Sequence, residues 1–343
     1  MIVFRADAGP KIGAGHVMRC LSIADGFTCN KENIIFISAD RNAEALIKSR
    51  GYKNIILESD ALHPENEIGI FKSIGAYSEA ELIIFDGYYF SKEYIGGFSR
   101  EKTTVYMDDL VAEAMPANVI INYNLFADKL EYEKLYENCP SRPILILGTD
   151  YVPLRKEFSV FNPIKISDRV ENILVLTGGA DPIHVAPELA KSVVSRGIKN
   201  IMFHFVCGAL SDVADELKKY QNDNIIVHFD VKDMKTLMCS CDMAISAAGS
   251  TLYELCACGV PTINYSVADN QRLAADEFVA RGIMYSMGVV KDPKAFCIDV
   301  LNVVDKLSKD FKMRSEMSVK AKALVDGNGA KRLASRLEEL IHK

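Results

Sequence analysis

Short apolar runs recur along this chain with longer amphipathic runs between them, and that alternation is what most limits its possible folds. It is the pattern of α/β proteins built on parallel sheets. In the first half MIVFRAD, NIIFISAD, NIILES, LIIFDGYY, TTVYMDDL, NVIINYN and PILILGTDY read as strands. Helix-like runs such as HVMRCLSIADGFTC and NAEALIKSRG lie between several of them, the latter stopping at Gly51. After the polar stretch FNPIKISDRV the pattern restarts with NILVLTGG, HVAPELAKSVVSRG, NIMFHFVCG, DVADELKKY, NIIVHFD, MKTLMCSC, MAISAAG, STLYELCACG and PTINYS. The tail GAKRLASRLEELIHK reads as a terminal helix.

Each half contains a strand that runs into a glycine-rich turn and then a helix: FRADAGPKIGAGH in one, VLTGGADPIH in the other. A chain of 343 residues fits two domains. The sequence therefore predicts two doubly wound Rossmann-like α/β domains facing a cleft. The linker falls near residues 156–168, which gives domains 1–160 and 161–343. Ligands of open α/β sheets sit outside the carboxyl ends of the strands, so the motifs there carry the function.

Composition removes several classes. A net charge of −6 argues against a nucleic-acid binder. Arg5 and Asp7 come too early for the apolar core of a signal peptide, and no run approaches the ~18–20 apolar residues that span a bilayer. Nine scattered cysteines read as reduced thiols of a cytoplasmic protein. The pairs Cys239/Cys241 and Cys256/Cys258 do not suggest a metal. The second lies in a helical run, where neighbours two apart face different ways, and no Cys/His set has zinc spacing.

At the strand ends, IGAGHVMRC fails as a dinucleotide fingerprint because Met18 stands where the third glycine belongs. What remains is Gly13 and Gly15, which free the backbone for close approach by a ligand, and His16 at a helix start. In SAAGSTLYELCACGVPTINY, Gly249, Ser250 and Thr251 open a helix whose amides and dipole suit an anion. Glu254 is either a capping-box glutamate or an acceptor for a ribose diol. Gly178 and Gly179, ahead of Asp181, either admit a phosphate to the backbone or form an ordinary turn. Arg155 lies near the domain junction and could meet a phosphate or a sugar substituent. Asp108 and Asp109 close one strand, where adjacent carboxylates diverge and do not share a metal. Tyr88 follows another strand end and is placed to line a cleft.

FRADAGPKIGAGHVMRCLSIA, FDGYY, YMDDL, GTDYVPLRKEF, TGGAD, SAAGSTLYEL and VADNQ occur in this order. Together they resemble the hydrolases of pseudaminic acid biosynthesis that remove UDP from UDP-2,4-diacetamido-2,4,6-trideoxy-β-L-altropyranose. The resemblance runs from residue 1 to about 285 and implies a glycosyltransferase-B type fold, like that of the glucosaminyltransferase of lipid II synthesis. It implies that His16 is the catalytic base, with Gly15 beside it. Arg155 and Glu254 would bind substrate, Glu254 on the UDP ribose, and Tyr88 and Asn270 would line the sugar site. Gly249, Ser250 and Thr251 would hold the diphosphate together with Gly179, and the turn from Phe229 to Val231 would meet uracil. It further implies no metal, no cofactor, and a monomer whose partner is the UDP-sugar.

The chemistry is consistent with so few parts. UDP is a good leaving group, so the enzyme must position a water, take its proton and stabilise the departing diphosphate. One base opposite the leaving group gives inversion at the anomeric carbon. A glycosyltransferase of the same fold is the main alternative. A non-catalytic nucleotide-sugar-binding protein and a hydrolysing 2-epimerase are others.

Overall fold

The computed structural model describes residues 1–159, 164–179, 181–208, 213–268 and 271–341. The chain divides into two compact units, Met1–Lys156 with Asn328–Lys343, and Glu157–Gly327. The first holds seven strands: β1 Ile2–Ala6, β2 Ile34–Ser38, β3 Lys53–Ile56, β4 Leu82–Asp86, β5 Thr103–Met107, β6 Val119–Asn122 and β7 Ile144–Leu147. The second holds β8 Asn172–Leu176, β9 Met202–Cys207, β10 Ile225–Phe229, β11 Met243–Ala247, β12 Thr262–Ser266 and β13 Tyr285–Val289.

Helices in the first unit are α1 Gly15–Ala24, α2 Glu44–Ser49, α3 Ile68–Ser73, α4 Gly75–Glu79, α5 Lys92–Ser99 and α6 Tyr132–Leu135. The second carries α7 Val185–Arg196, α8 Ala214–Lys218, α9 Met234–Cys239, α10 Thr251–Cys258, α11 Arg272–Ala280, α12 Pro293–Lys309 and α13 Phe311–Leu324. The last helix, α14 Gly329–Ile341, returns to the first unit.

Both sheets are parallel and doubly wound. Their orders are β3-β2-β1-β4-β5-β6-β7 and β10-β9-β8-β11-β12-β13. The chain reverses direction across each sheet at the β1/β4 and β8/β11 boundaries, and such switch points open a crevice at the carboxyl ends of their strands. The central strands are buried on both faces, which is why they read as continuous apolar runs: β1, β2 and β4 contain only buried residues. In the first unit one face packs Val3, Ile35, Ile37, Ile83 and Phe85 against Phe71, Tyr94 and Phe98. In the second, Ile173, Val175, Phe203, Phe205, Ile245 and Ile263 pack against α7 and α12.

Two features differ from the sequence expectation. The sequence places the boundary between residues 160 and 161, which lie outside the described residues, and leaves the terminal helix with the second domain. The units divide at 156/157, and α14 packs on α1. It buries Ala330, Leu333, Ala334 and Leu337 there, and Gly26 lets the two backbones approach so closely that a Cβ would lie 2.6 Å from the Ala330 carbonyl oxygen. The sequence also passes over β13. Its segment YSMGV is half-buried and contains Gly288, so it lacks a clear apolar signal. Among the described residues no helix is long and apolar enough to cross a membrane.

Candidate active site

The first-unit site is assembled at the β1/β4 switch. After β1 the chain makes a tight loop in which Gly9 and Gly13 exchange backbone hydrogen bonds of 3.1 and 2.7 Å. Gly13 adopts φ of +79°, which a side chain would resist. Helix α1 then starts with no side-chain cap at Ala14, and the space in front of Gly15 is open. His16, in the first turn, is buried at 9% exposure, and its Nδ1 lies 2.7 Å from Oδ1 of Asp86, the last residue of β4. A carboxylate accepts only, so Nδ1 carries a proton, and in the neutral ring the lone pair is therefore on Nε2.

Arg19 is one helical turn beyond His16 and therefore on the same face of α1. Its Nε donates to Asp86 Oδ2 at 2.6 Å and its Nη2 to Asp86 Oδ1. Its Nη1 donates to both oxygens of Asp109, at 3.0 and 2.8 Å, and to the Tyr123 hydroxyl at 2.8 Å. Asp109 also accepts from the Tyr88 hydroxyl at 3.1 Å and from Asn124 Nδ2 at 3.1 Å. The Tyr88 ring stands edge-on to the His16 ring, 4.8 Å between centroids, and remains half-exposed. The Cys20 thiol lies 3.6 Å from Asp86 Oδ2. Strand ends β1, β4, β5 and β6 thus converge through side chains on one histidine.

Burial by itself would raise the Asp86 carboxyl, but the Arg19 guanidinium, and after it His16, hold it well below the usual carboxylate range. Burial likewise opposes charge on Arg19, and Asp109 and Asp86 outweigh it. Asp86 therefore stays an anion at any physiological pH and Arg19 a cation.

A second buried network lies alongside. Arg5 donates through Nε to Glu67 at 2.7 Å and through Nη1 to Asp7 at 2.5 Å. Glu67 also accepts from the hydroxyls of Tyr94, at 2.6 Å, and Ser59, at 2.5 Å. All of Arg5, Asp7 and Glu67 are fully buried, so this cluster ties the segment after β3 to β1 and fixes the strand end that precedes His16.

Of the predicted first-unit residues, Gly15, His16 and Tyr88 come together. Arg155 is half-buried, two residues ahead of the division between units. The sequence missed the roles of Arg19, Asp86 and Asp109. Only the three-residue spacing of His16 and Arg19 signalled one of them.

In the second unit the two glycine-led helix starts follow the two switch strands, β8 and β11, and they differ. Asp181, 1% exposed, accepts from the amides of Val185 and Ala186 at 3.0 and 2.9 Å, so it occupies the start of α7. At α10 the N-cap is Ser250, which makes no side-chain cap bond, and Gly249 and Ser250 are exposed. The capping-box reading of Glu254 therefore does not hold: the glutamate is four positions past the cap, half-buried within the first turn. Gly179 is exposed at the end of β8, packed so closely on Gly208 that a Cβ there would meet its carbonyl oxygen at 2.5 Å. Val231 follows the edge strand β10, two strands from β8. Asn270 lies outside the described residues. Among the described residues no group of three or more His, Cys, Asp or Glu side chains is arranged to hold a metal.

The glycosyltransferase family 28 C-terminal domain matches residues 172–337. SpsG, a spore coat polysaccharide biosynthesis protein of Bacillus subtilis, is 24% identical over 98% of this chain and 97% of its own. A Helicobacter pylori protein is 26% identical over 79% of this chain. It is named as a pseudaminic acid cytidylyltransferase and UDP-2,4-diacetamido-2,4,6-trideoxy-beta-L-altropyranose hydrolase. The match spans 45% of that protein and, in an uncharacterised Methanocaldococcus jannaschii relative at 25% identity, 58%. Among solved structures, MurG of Acinetobacter baumannii superposes with a TM-score of 0.64 at 16% identity, covering 98% of this chain and 99% of that one. MnaA of S. aureus, solved with UDP, gives 0.68 at 12% identity over 99% and 96%. The fold is two Rossmann-like units of the glycosyltransferase-B type.

Proposed function

Since the chain belongs to the SpsG-like family, we propose that it hydrolyses a UDP-linked 2,4-diacetamido-2,4,6-trideoxyhexose to UDP and free sugar, in the biosynthesis of pseudaminic or a related nonulosonic acid. The observation that carries this reading is the His16–Asp86 pair at the β1/β4 switch. Asp86 fixes the tautomer, so Nε2 takes the proton of a water as its oxygen bonds the anomeric carbon. The bond from that carbon to the diphosphate oxygen breaks on the opposite face, and UDP departs as an anion, so no general acid is needed. The configuration inverts.

We assign the sugar and the water to the first unit, with Gly15, His16, Tyr88 and Arg155. The nucleotide goes to the second, where Gly249, Ser250 and Thr251 meet the diphosphate with Gly179, Glu254 takes the ribose and Val231 the base. The open, uncapped start of α10 supports the diphosphate assignment. Asn270 is assigned to the sugar on the family resemblance alone. The reaction uses neither metal nor cofactor.

The matched domain and the likeness to MurG favour a second reading, transfer of the sugar to an acceptor. Incubation with candidate UDP-sugars, without acceptor or added metal, separates the two. We expect free UDP from the wild type and none from His16→Ala, which should still bind UDP. UDP that appears only with an acceptor would establish transfer instead.

A further inference from the structure

The segment after β4, Gly87-Tyr88-Tyr89, is held at each residue. The Tyr106 hydroxyl donates to the Gly87 carbonyl at 3.4 Å. The Tyr89 hydroxyl accepts from the Asp7 amide at 3.0 Å, and its ring fills the space where a Cβ on Gly87 would stand. Tyr88 is half-exposed, its ring perpendicular to that of His16 and its hydroxyl donating to Asp109 Oδ2 at 3.1 Å. Two of these three holds are ordinary packing of a loop on its sheet. The third fixes a side chain that solvent could otherwise set free.

The carboxylate that holds it is itself presented by a strained turn. Val111, a β-branched residue, adopts φ of +51°, a conformation that persists only where its surroundings over-determine it. Asp108 does so here. Its Oδ1 accepts from the amides of Leu110 and Val111 at 3.1 and 2.8 Å. Its Oδ2 accepts from the Tyr132 hydroxyl at 2.9 Å, and Asn122 Nδ2 donates to that hydroxyl at 2.9 Å. The turn leaves Asp109 where Arg19 Nη1 bridges both of its oxygens and Asn124 donates to one. Backbone strain beside a carboxylate that grips a half-exposed ring points to function.

We propose that Asp109 is a positioning residue for the sugar: anchored by Arg19 and set by the strained turn, it holds the Tyr88 hydroxyl and so keeps the Tyr88 ring against His16 as a fixed wall of the sugar site. This rests on the placement of the sugar in the first unit under the proposed function. Asp109 touches no reacting atom. It acts through Tyr88 as Asp86 acts through His16, and Arg19 joins the two carboxylates. Burial, and after it the Asp109 carboxylate, push the Tyr88 hydroxyl far above its usual range, so it remains a donor at any physiological pH. A ring already held in one rotamer has no rotamer freedom left to lose when the sugar binds. The effect therefore falls on affinity for the sugar, while the base is oriented by Asp86.

The test measures binding to the full chain of UDP and of a phosphonate analogue of UDP-2,4-diacetamido-2,4,6-trideoxy-β-L-altropyranose, with a methylene in place of the anomeric oxygen. Tyr88→Phe removes only the held hydroxyl and leaves Arg19 and Asp86 untouched; Asp109→Asn keeps the shape and removes the charge. Each should raise Kd for the analogue roughly tenfold, as loss of a hydrogen bond to a charged group implies, and change Kd for UDP by less than about twofold. The double variant should bind the analogue no more weakly than the weaker single one, because both remove one interaction. In turnover KM should rise by the same factor with kcat within about threefold, the reverse of a change that disturbs the base. Unchanged affinity for the analogue, additive effects in the double variant, or equal loss of UDP and analogue binding would each overturn the proposal. UDP release that requires an acceptor overturns hydrolysis but not this assignment, since the analogue is bound and never cleaved.

Discussion

Asp86 is an anion in a place where burial opposes charge, and Arg19 is what keeps it there. The histidine above it thus has a fixed acceptor on Nδ1 instead of a proton shared between two sites. Replacing Asp86 with Asn keeps the shape but presents either an amide N–H or a neutral oxygen to the ring, which releases the tautomer. We expect UDP release by Asp86→Asn to fall on the order of 10²–10⁴-fold in kcat with little change in the affinity for UDP. Unchanged kcat would remove Asp86 from the mechanism. A parallel loss of UDP binding would mean that the fold, and not the base, had been damaged. Linkage gives the same residue a role in stability. Its folded pKa is depressed, so its contribution is present above the unfolded carboxylate value of about 3.9 and is lost as pH falls below that toward the folded value.

At the scale of elements, close approach of backbones decides which glycines matter. Gly26 joins α1 to α14 with no room for a methyl, because the Ala330 carbonyl oxygen is 2.6 Å from where it would lie. Gly69, exposed in α3, has nothing within 4 Å of that position. Gly26→Ala should cost roughly 1–3 kcal/mol through forced separation of the two helices. Gly69→Ala should gain up to about 1 kcal/mol by restricting the unfolded chain. Denaturant midpoints of the two variants check both signs, and equal effects would refute the packing argument. The same scale explains what the sequence made legible. Seven strands of the first sheet and five of the second could be read, the central ones because burial on both faces demands continuous apolar runs, and β3 and β7 because their apolar residues are still consecutive. The segment YSMGV escaped because Ser286 and Gly288 interrupt its apolar residues. His16 could be located from the glycines before it, but Asp86 could not be joined to it. Their contact spans 70 positions and depends on β1 and β4 being neighbours at a switch point. Glu254 needed the observed cap position before one of its two readings could be dropped.

For the whole molecule, the consequence of α14 is that the first unit is discontinuous in sequence. Residues after the second unit complete the core of the first. Gly329 sits against the backbone of Val152, Arg332 Nε donates to the Asp150 carbonyl at 2.8 Å, and Thr28 donates to Glu338 through both its amide and its hydroxyl at 2.8 Å. Leu333 and Leu337 are fully buried, and each contributes about 1.5–3 kcal/mol. Their sum is a large part of the 5–15 kcal/mol by which a domain of this size is stable. A chain ending at Gly327 therefore loses the first unit's stability selectively, while Glu157–Gly327 keeps its own core. Hydrogen exchange of the truncated chain should show β1, β2 and β4 amides losing most of their protection and β8, β9 and β11 amides retaining theirs. Equal loss in both units would mean that they fold as one cooperative body, and no loss would mean that α14 is dispensable. Because His16 lies on α1, the helix that α14 covers, the selective outcome carries a second expectation under the proposed function: truncation should abolish UDP release and leave UDP binding intact.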